Sequence, residues 1–210
     1  FTLDQKDGFD FARPITISNE KNEELGKVLA VDGAISLVTT DLGTINLSQT
    51  ILEIPEEGPS YILISDPTLL QDGGEYLMIC YAANKFFLME PEVVEKSNNA
   101  ASRIGFNLES IDKVGEEILT GNYLDQLWTL TFSEGGSLIG DGEKYIHLEN
   151  TNDYAITGTL ENDGDPFTIN INNGMFTFSS GSSVLNYNSR GLINGYPNDP
   201  AHFFLYQLVK

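Results

Sequence analysis

The sequence predicts an all-β protein: a β-trefoil-like or irregular Greek-key barrel of about 150 residues, preceded by a small N-terminal β segment. Three observations carry this expectation. Asp-Gly or Asn-Gly pairs fall between apolar runs at 32–33, 141–142, 163–164 and 173–174, and such pairs supply the positive-φ residues of tight hairpin turns. The flanking runs alternate apolar and polar, as in WTLTF (128–132) and FTINI (167–171), which is the period of a half-buried strand. Finally, WTLTFSEGGSLIGDGEKYIHLENT (128–151) matches FTININNGMFTFSSGSSVLNYNS (167–189) block for block. Each reads as strand, glycine turn, strand, turn and aromatic-aliphatic strand.

Taken in order, the chain opens with four short strand candidates, PITIS, GKVLAV, AISLV and SQTILEI. They are too small a set for an independent core and are expected to pack on the rest. IPEEGPS (54–60), with its two prolines, two acids and glycine, marks the boundary. The domains are therefore 1–57 and 58–210. YILISDPTLLQDGGEYLMICYAANKFFLME (61–90) reads as a third, divergent copy of the repeat. The copies start at Tyr61, Trp128 and Phe167, 67 and 39 residues apart, and this uneven spacing keeps the irregular barrel beside the trefoil. Alternation turns Trp128, Leu130 and Phe132 inward, with Phe167, Ile169 and Ile171. SIDKVGEEILTG has apolar residues at 111, 114, 118 and 119, close to helical spacing, with Ser110 to start it and Gly121 to end it. One short helix is expected there. EVVEKSNNAASR is a weaker helix candidate or a loop.

The 31 acids and 11 bases give a formal net charge of −20. Phosphate binding needs Lys and Arg, so this surface excludes nucleic acid as a partner. The single cysteine, Cys80, precludes an intrachain disulfide and lies within the apolar run YLMICY, where a buried structural thiol is expected. No apolar run approaches the ~20 residues of a membrane span. The first residue is Phe1, and the expectation is a processed chain whose signal peptide or lipid anchor has been removed.

From residue 61 onward the chain resembles a C-terminal β-rich module of secreted and surface proteins of gut Bacteroidetes-type bacteria. The residues that carry the likeness are Gly74-Glu75-Tyr76-Leu77-Met78-Ile79-Cys80-Tyr81, Trp128-Thr129-Leu130, Ser137-Leu138-Ile139-Gly140, Leu185-Asn186-Tyr187-Asn188-Ser189 and Leu205-Tyr206-Gln207-Leu208. The module often has an Arg-Phe-Arg type strand after its Asn-Ser turn, and here Arg190 alone remains nearby. The resemblance transfers no catalytic signature. It implies an extracellular or cell-envelope location and a role in binding or adhesion.

The residues themselves offer little chemistry. The two histidines, His147 and His202, have no nucleophile motif beside them. There is no H-E-x-x-H, Cys pair or P-loop. Glu161, Asp163 and Asp165 crowd one turn, with Asn150, Asn152 and Asp153 a strand earlier. Calcium takes six to eight oxygens, which makes this turn the calcium candidate; an ordinary Asp-Gly hairpin tip is the competing reading. Asn186, Asn188, Arg190, Tyr196, Asp199 and His202 combine aromatic and hydrogen-bonding groups in one aperiodic stretch, as sugar-binding surfaces do. The functional expectation is a non-catalytic extracellular binding or adhesion protein, with glycan the favoured ligand. A structural module that meets a surface protein within a larger assembly is the alternative. A glycoside hydrolase is a third reading, but 31 acids single out no pair.

Overall fold

The computed structural model describes residues 15–21, 23–28, 45–48, 58–97, 102–112, 114–152 and 155–209. The chain divides into two compact units, 1–53 and 54–210, and the division falls at the start of IPEEGPS. In the first unit β1 (Ile15–Asn19), β2 (Glu24–Val28) and β3 (Ile45–Ser48) form an antiparallel sheet in the order β2-β1-β3. Ile15 and Ile17 alternate into its buried side. The Asp32-Gly33 turn and the strand candidate AISLV lie outside the described residues.

Among the described residues the second unit has fourteen strands. They are β4 (Ser60–Ile64), β5 (Gly74–Ala82), β6 (Lys85–Ser97), β7 (Ser102–Ile111), β8 (Ile118–Thr120), β9 (Trp128–Ser133) and β10 (Gly136–Gly140). Then come β11 (Tyr145–Asn152), β12 (Ala155–Glu161), β13 (Thr168–Asn172), β14 (Met175–Ser180), β15 (Ser183–Asn188), β16 (Leu192–Tyr196) and β17 (His202–Leu208). Seven of them close an antiparallel ring, β5-β6-β7-β16-β15-β14-β17 and back to β5. The all-β barrel expectation holds. A ring of seven does not divide into three equal units, so of the two alternatives the irregular barrel describes it.

Side chains fill the ring. Cys80 stands opposite Phe203 on one side and Phe87 on the other. Phe203 meets Phe178 edge-on at 5.5 Å, and Phe87 stacks on Tyr187 at 5.8 Å. About 10 Å³ is left beside Met78, Trp128, Phe178 and Leu205, room for one water at most. Among the described residues, packed side chains line this part of the interior.

The repeat is real as topology. β9 to β12 run as a four-strand meander, and so do β13 to β16. Ile156 of the first meets Gly195 of the second. Trp128 leads its meander into the core as expected: it is buried, its ring lies edge-on to Phe106 at 5.2 Å, and its Nε1 donates to the Met89 carbonyl at 2.8 Å. Asn173-Gly174 makes the expected two-residue hairpin, with φ of 52° and 75°.

Five expectations are corrected. The 61–90 stretch is not a third copy, because β4 and β5 both pair with β17 instead of with each other. The helix over 110–121 is absent: Gly115, at φ +98°, breaks the α path, and Ile118–Thr120 pair with β4 as β8. Within EVVEKSNNAASR, Val93–Ser97 are strand and pair with Ser102–Phe106 in the β6–β7 ribbon, and residues 98–101 lie outside the described residues. Asp163-Gly164 is not a hairpin tip but part of the crossing from β12 to β13, where a Cβ on Gly164 would strike the Tyr145 Cβ at 2.1 Å. Phe132, expected inward, is 48 % exposed; it is the penultimate residue of β9, beyond the buried pair Trp128 and Leu130.

Candidate functional site

Directly opposed residues on neighbouring strands face the same side, as do residues two apart along a strand. Across β17, β5, β6 and β7 this aligns His202, Tyr81, Phe86 and Ile111 in one row. Phe204, Ile79, Leu88 and Glu109 form the next. Because the alternate residues Phe203, Cys80 and Phe87 fill the barrel, both rows lie on its outer face.

Most of that face is covered. Tyr61, Leu77, Ile79, Leu88, Leu119 and Tyr206 make a second core outside the ring, with Val114, Tyr123 and Leu127 packed against it. Two tyrosine hydroxyls tie the cover down. That of Tyr206 accepts from the Gly115 N–H at 2.9 Å and donates to the Glu116 carbonyl at 3.0 Å; that of Tyr61 accepts from the Tyr123 N–H at 3.1 Å. Burial raises both phenols above their ordinary range, against the opposing pull of these backbone hydrogen bonds.

Where the cover stops, an aromatic shelf emerges. Tyr81 is 44 % exposed. Its ring lies 5.0 Å from Phe86, which lies 5.9 Å from Phe204. His202 stands opposite Tyr81. Beside the shelf is a pocket of about 250 Å³ lined by Leu88, Glu109, Ser110, Ile111, Asp112 and Tyr123. Shelf and pocket are neighbours, since Phe86 and Ile111 are cross-strand partners.

The six residues singled out for ligand binding do not gather at one point. Asn188 pairs with Leu192 at one end of the β15–β16 ladder, and Tyr196 pairs with Val184 at the other. The two ends are about 13 Å apart at the rise of a strand. Asn188 turns its Oδ1 back to accept from the Arg190 N–H at 2.9 Å, shaping the turn. Asn186 donates from Nδ2 to the Asp199 carbonyl and so holds the loop before β17. Tyr196 is exposed, and His202 alone of the six joins the shelf.

The calcium candidate is likewise dispersed. Asp165 turns toward β11: its Oδ2 accepts from the Leu148 N–H at 2.7 Å and its Oδ1 lies 3.4 Å from His147 Nδ1. Glu161 accepts from the Thr159 hydroxyl at 3.3 Å. Among the described residues no three carboxylate, imidazole or thiol groups converge on one point with Glu161, Asp163 or Asp165. Asp153 lies outside the described residues.

Tyr81, Phe86 and Phe204 were not singled out from sequence. The available signal was the phase of YLMICYA and HFFLYQL: if Cys80 and Phe203 face in, Tyr81 and Phe204 face out. No family model, curated protein or solved structure matches the chain. Among the described residues no helix is long and apolar enough to cross a membrane.

Proposed function

We propose that this chain is a non-catalytic binding or adhesion protein of the cell surface or extracellular space, that glycan is its ligand, and that the ligand lies on the Tyr81 shelf. The observation that carries the reading is the exposed tyrosine ring backed by Phe86 and Phe204 on a rigid barrel wall. A sugar presents C–H faces to an aromatic ring and hydroxyls to the polar groups around it. His202 and the Tyr81 hydroxyl supply such groups. The outer location follows from the resemblance to secreted and surface modules.

The test is a glycan array read with the wild-type chain and with Tyr81→Ala. The ring is at the surface, so the variant keeps its melting temperature. Expected is binding to a defined set of glycans that the variant loses. A silent array for the wild type, or equal binding by Tyr81→Ala, overturns the reading. Release of reducing sugar that stops in Glu109→Gln would make the protein a hydrolase instead. The pocket beside the shelf favours a second reading, a module that docks on a surface protein.

A further inference from the structure

We propose that the pocket beside Tyr123 receives a single basic side chain, lysine or arginine, from a protein partner. Its wall has two chemical halves. Leu88, Ile111 and the Tyr123 ring are apolar, whereas Glu109 and Asp112 bring exposed carboxylates. A long basic side chain is divided in the same way, with an apolar stem and a cationic head. Size points to the same occupant. At about 250 Å³ the pocket falls below the ~300–1,000 Å³ of sites that enclose drug-sized ligands, and it suits one side chain better than an oligosaccharide.

Charge complementarity specifies the partner's sign. Residues 104–127 contain five acids, Glu109, Asp112, Glu116, Glu117 and Asp125, against one base, Lys113. The whole chain carries −20. A cationic patch is steered into such a field and an anionic one is repelled. The apolar contact a protein partner needs is also present. Leu124, on the short 3-10 turn Leu124–Gln126 directly after Tyr123, is 49 % exposed. A buried anchor with apolar and charged groups around it is the anatomy of a protein interface. The inference does not depend on the glycan reading, because it uses none of the shelf residues.

The test is an NMR titration of the ¹⁵N-labelled full chain with N-acetyl-arginine methylamide, N-acetyl-lysine methylamide, the neutral N-acetyl-norleucine methylamide, and glucosamine. Expected are amide shifts confined to the neighbourhood of Leu88, Glu109–Asp112 and Tyr123. The norleucine probe should bind at least tenfold more weakly than the basic ones. The double variant Glu109→Gln, Asp112→Asn should lose at least tenfold in affinity for the basic probes and keep its melting temperature, since both carboxylates are exposed. Three results overturn the proposal: equal binding of norleucine, shifts that spread to distant acids such as Glu134 and Glu143, or a double variant within twofold of wild type. Glucosamine binding as tightly as the arginine probe would make the pocket an amino-sugar subsite and overturn it too. None of these outcomes bears on the loss of glycan binding expected for Tyr81→Ala.

Discussion

The orientation of β5 can be tested through its one thiol. Cys80 is fully buried between Phe203 and Phe87, and burial pushes its pKa from 9.0 to about 12. At pH 8 the thiolate fraction is then about 10⁻⁴, against about 10⁻¹ for the unshifted thiol. Ionisation alone slows reaction with a disulfide reagent about 1,000-fold. Exclusion of the reagent from the packed ring slows it further. The assay is the labelling rate in native buffer and in denaturant at one pH. Expected is a native rate at least three orders of magnitude below the unfolded rate. A native rate within about tenfold of it would refute the reasoning, and would do more than expose a thiol. If Cys80 faced out, Tyr81 would face in, and the shelf would not exist. The same shift sets a pH window. The folded pKa is raised, so the stabilisation is complete below pH 9 and is lost as pH rises from 9 to 12, to a total of about 4 kcal/mol. Cys80→Ala should flatten that part of the stability profile.

Two further predictions concern the core and a turn. Trp128→Ala removes the ring packed on Phe106 and orphans the Met89 carbonyl, and should cost about 3–5 kcal/mol in denaturant unfolding. Because Trp128 is the sole tryptophan, native emission should be blue-shifted and resist iodide; ready quenching would contradict its burial. Ala83 and Asn84 turn the β5–β6 hairpin at φ of 50° and 59°, a region that penalises a Cβ. Ala83→Gly should therefore raise stability by about 0.5–1 kcal/mol, and a loss of that size would show that the turn is not left-handed.

What could be read from the sequence was what local chemistry dictates. Asn173-Gly174 marks a turn locally, because both residues readily adopt the positive φ that it uses. The alternation around Trp128 and Cys80 sets which side faces in. The misreadings arose where tertiary pairing overrode local pattern. Residues 111, 114, 118 and 119 have nearly helical spacing, yet Ile118–Thr120 complete a ladder on β4 that a helix would leave open. The Ala83-Asn84 turn gives no sequence signal, since alanine rarely adopts positive φ. The shelf was hidden for a different reason. Tyr81, Phe86 and Phe204 come from three strands, and 118 residues separate the last two. Conversely, Asn186 to His202 were close in sequence and are spread along a ladder and a loop. Proximity in the chain is not proximity in space.

The position of β17 bears on how the molecule comes to be folded. Its residues pair with β5 along one edge and with β14 and β4 along the other. Leu208 finds Tyr61 across 147 residues of chain. Until this strand arrives, the long apolar edge of β5 has no neighbour on that side, and both hydrophobic layers it separates remain open. Ring closure is thus a late event of high contact order, slow compared with formation of the hairpins it joins. A chain emerging N-terminus first carries an unsatisfied strand edge until its final barrel segment is made, and in that interval it can pair with a neighbouring copy. The strand that completes the wall is also the one that brings His202 and Phe204 to Tyr81, so a molecule able to present the shelf is one that has already passed this step.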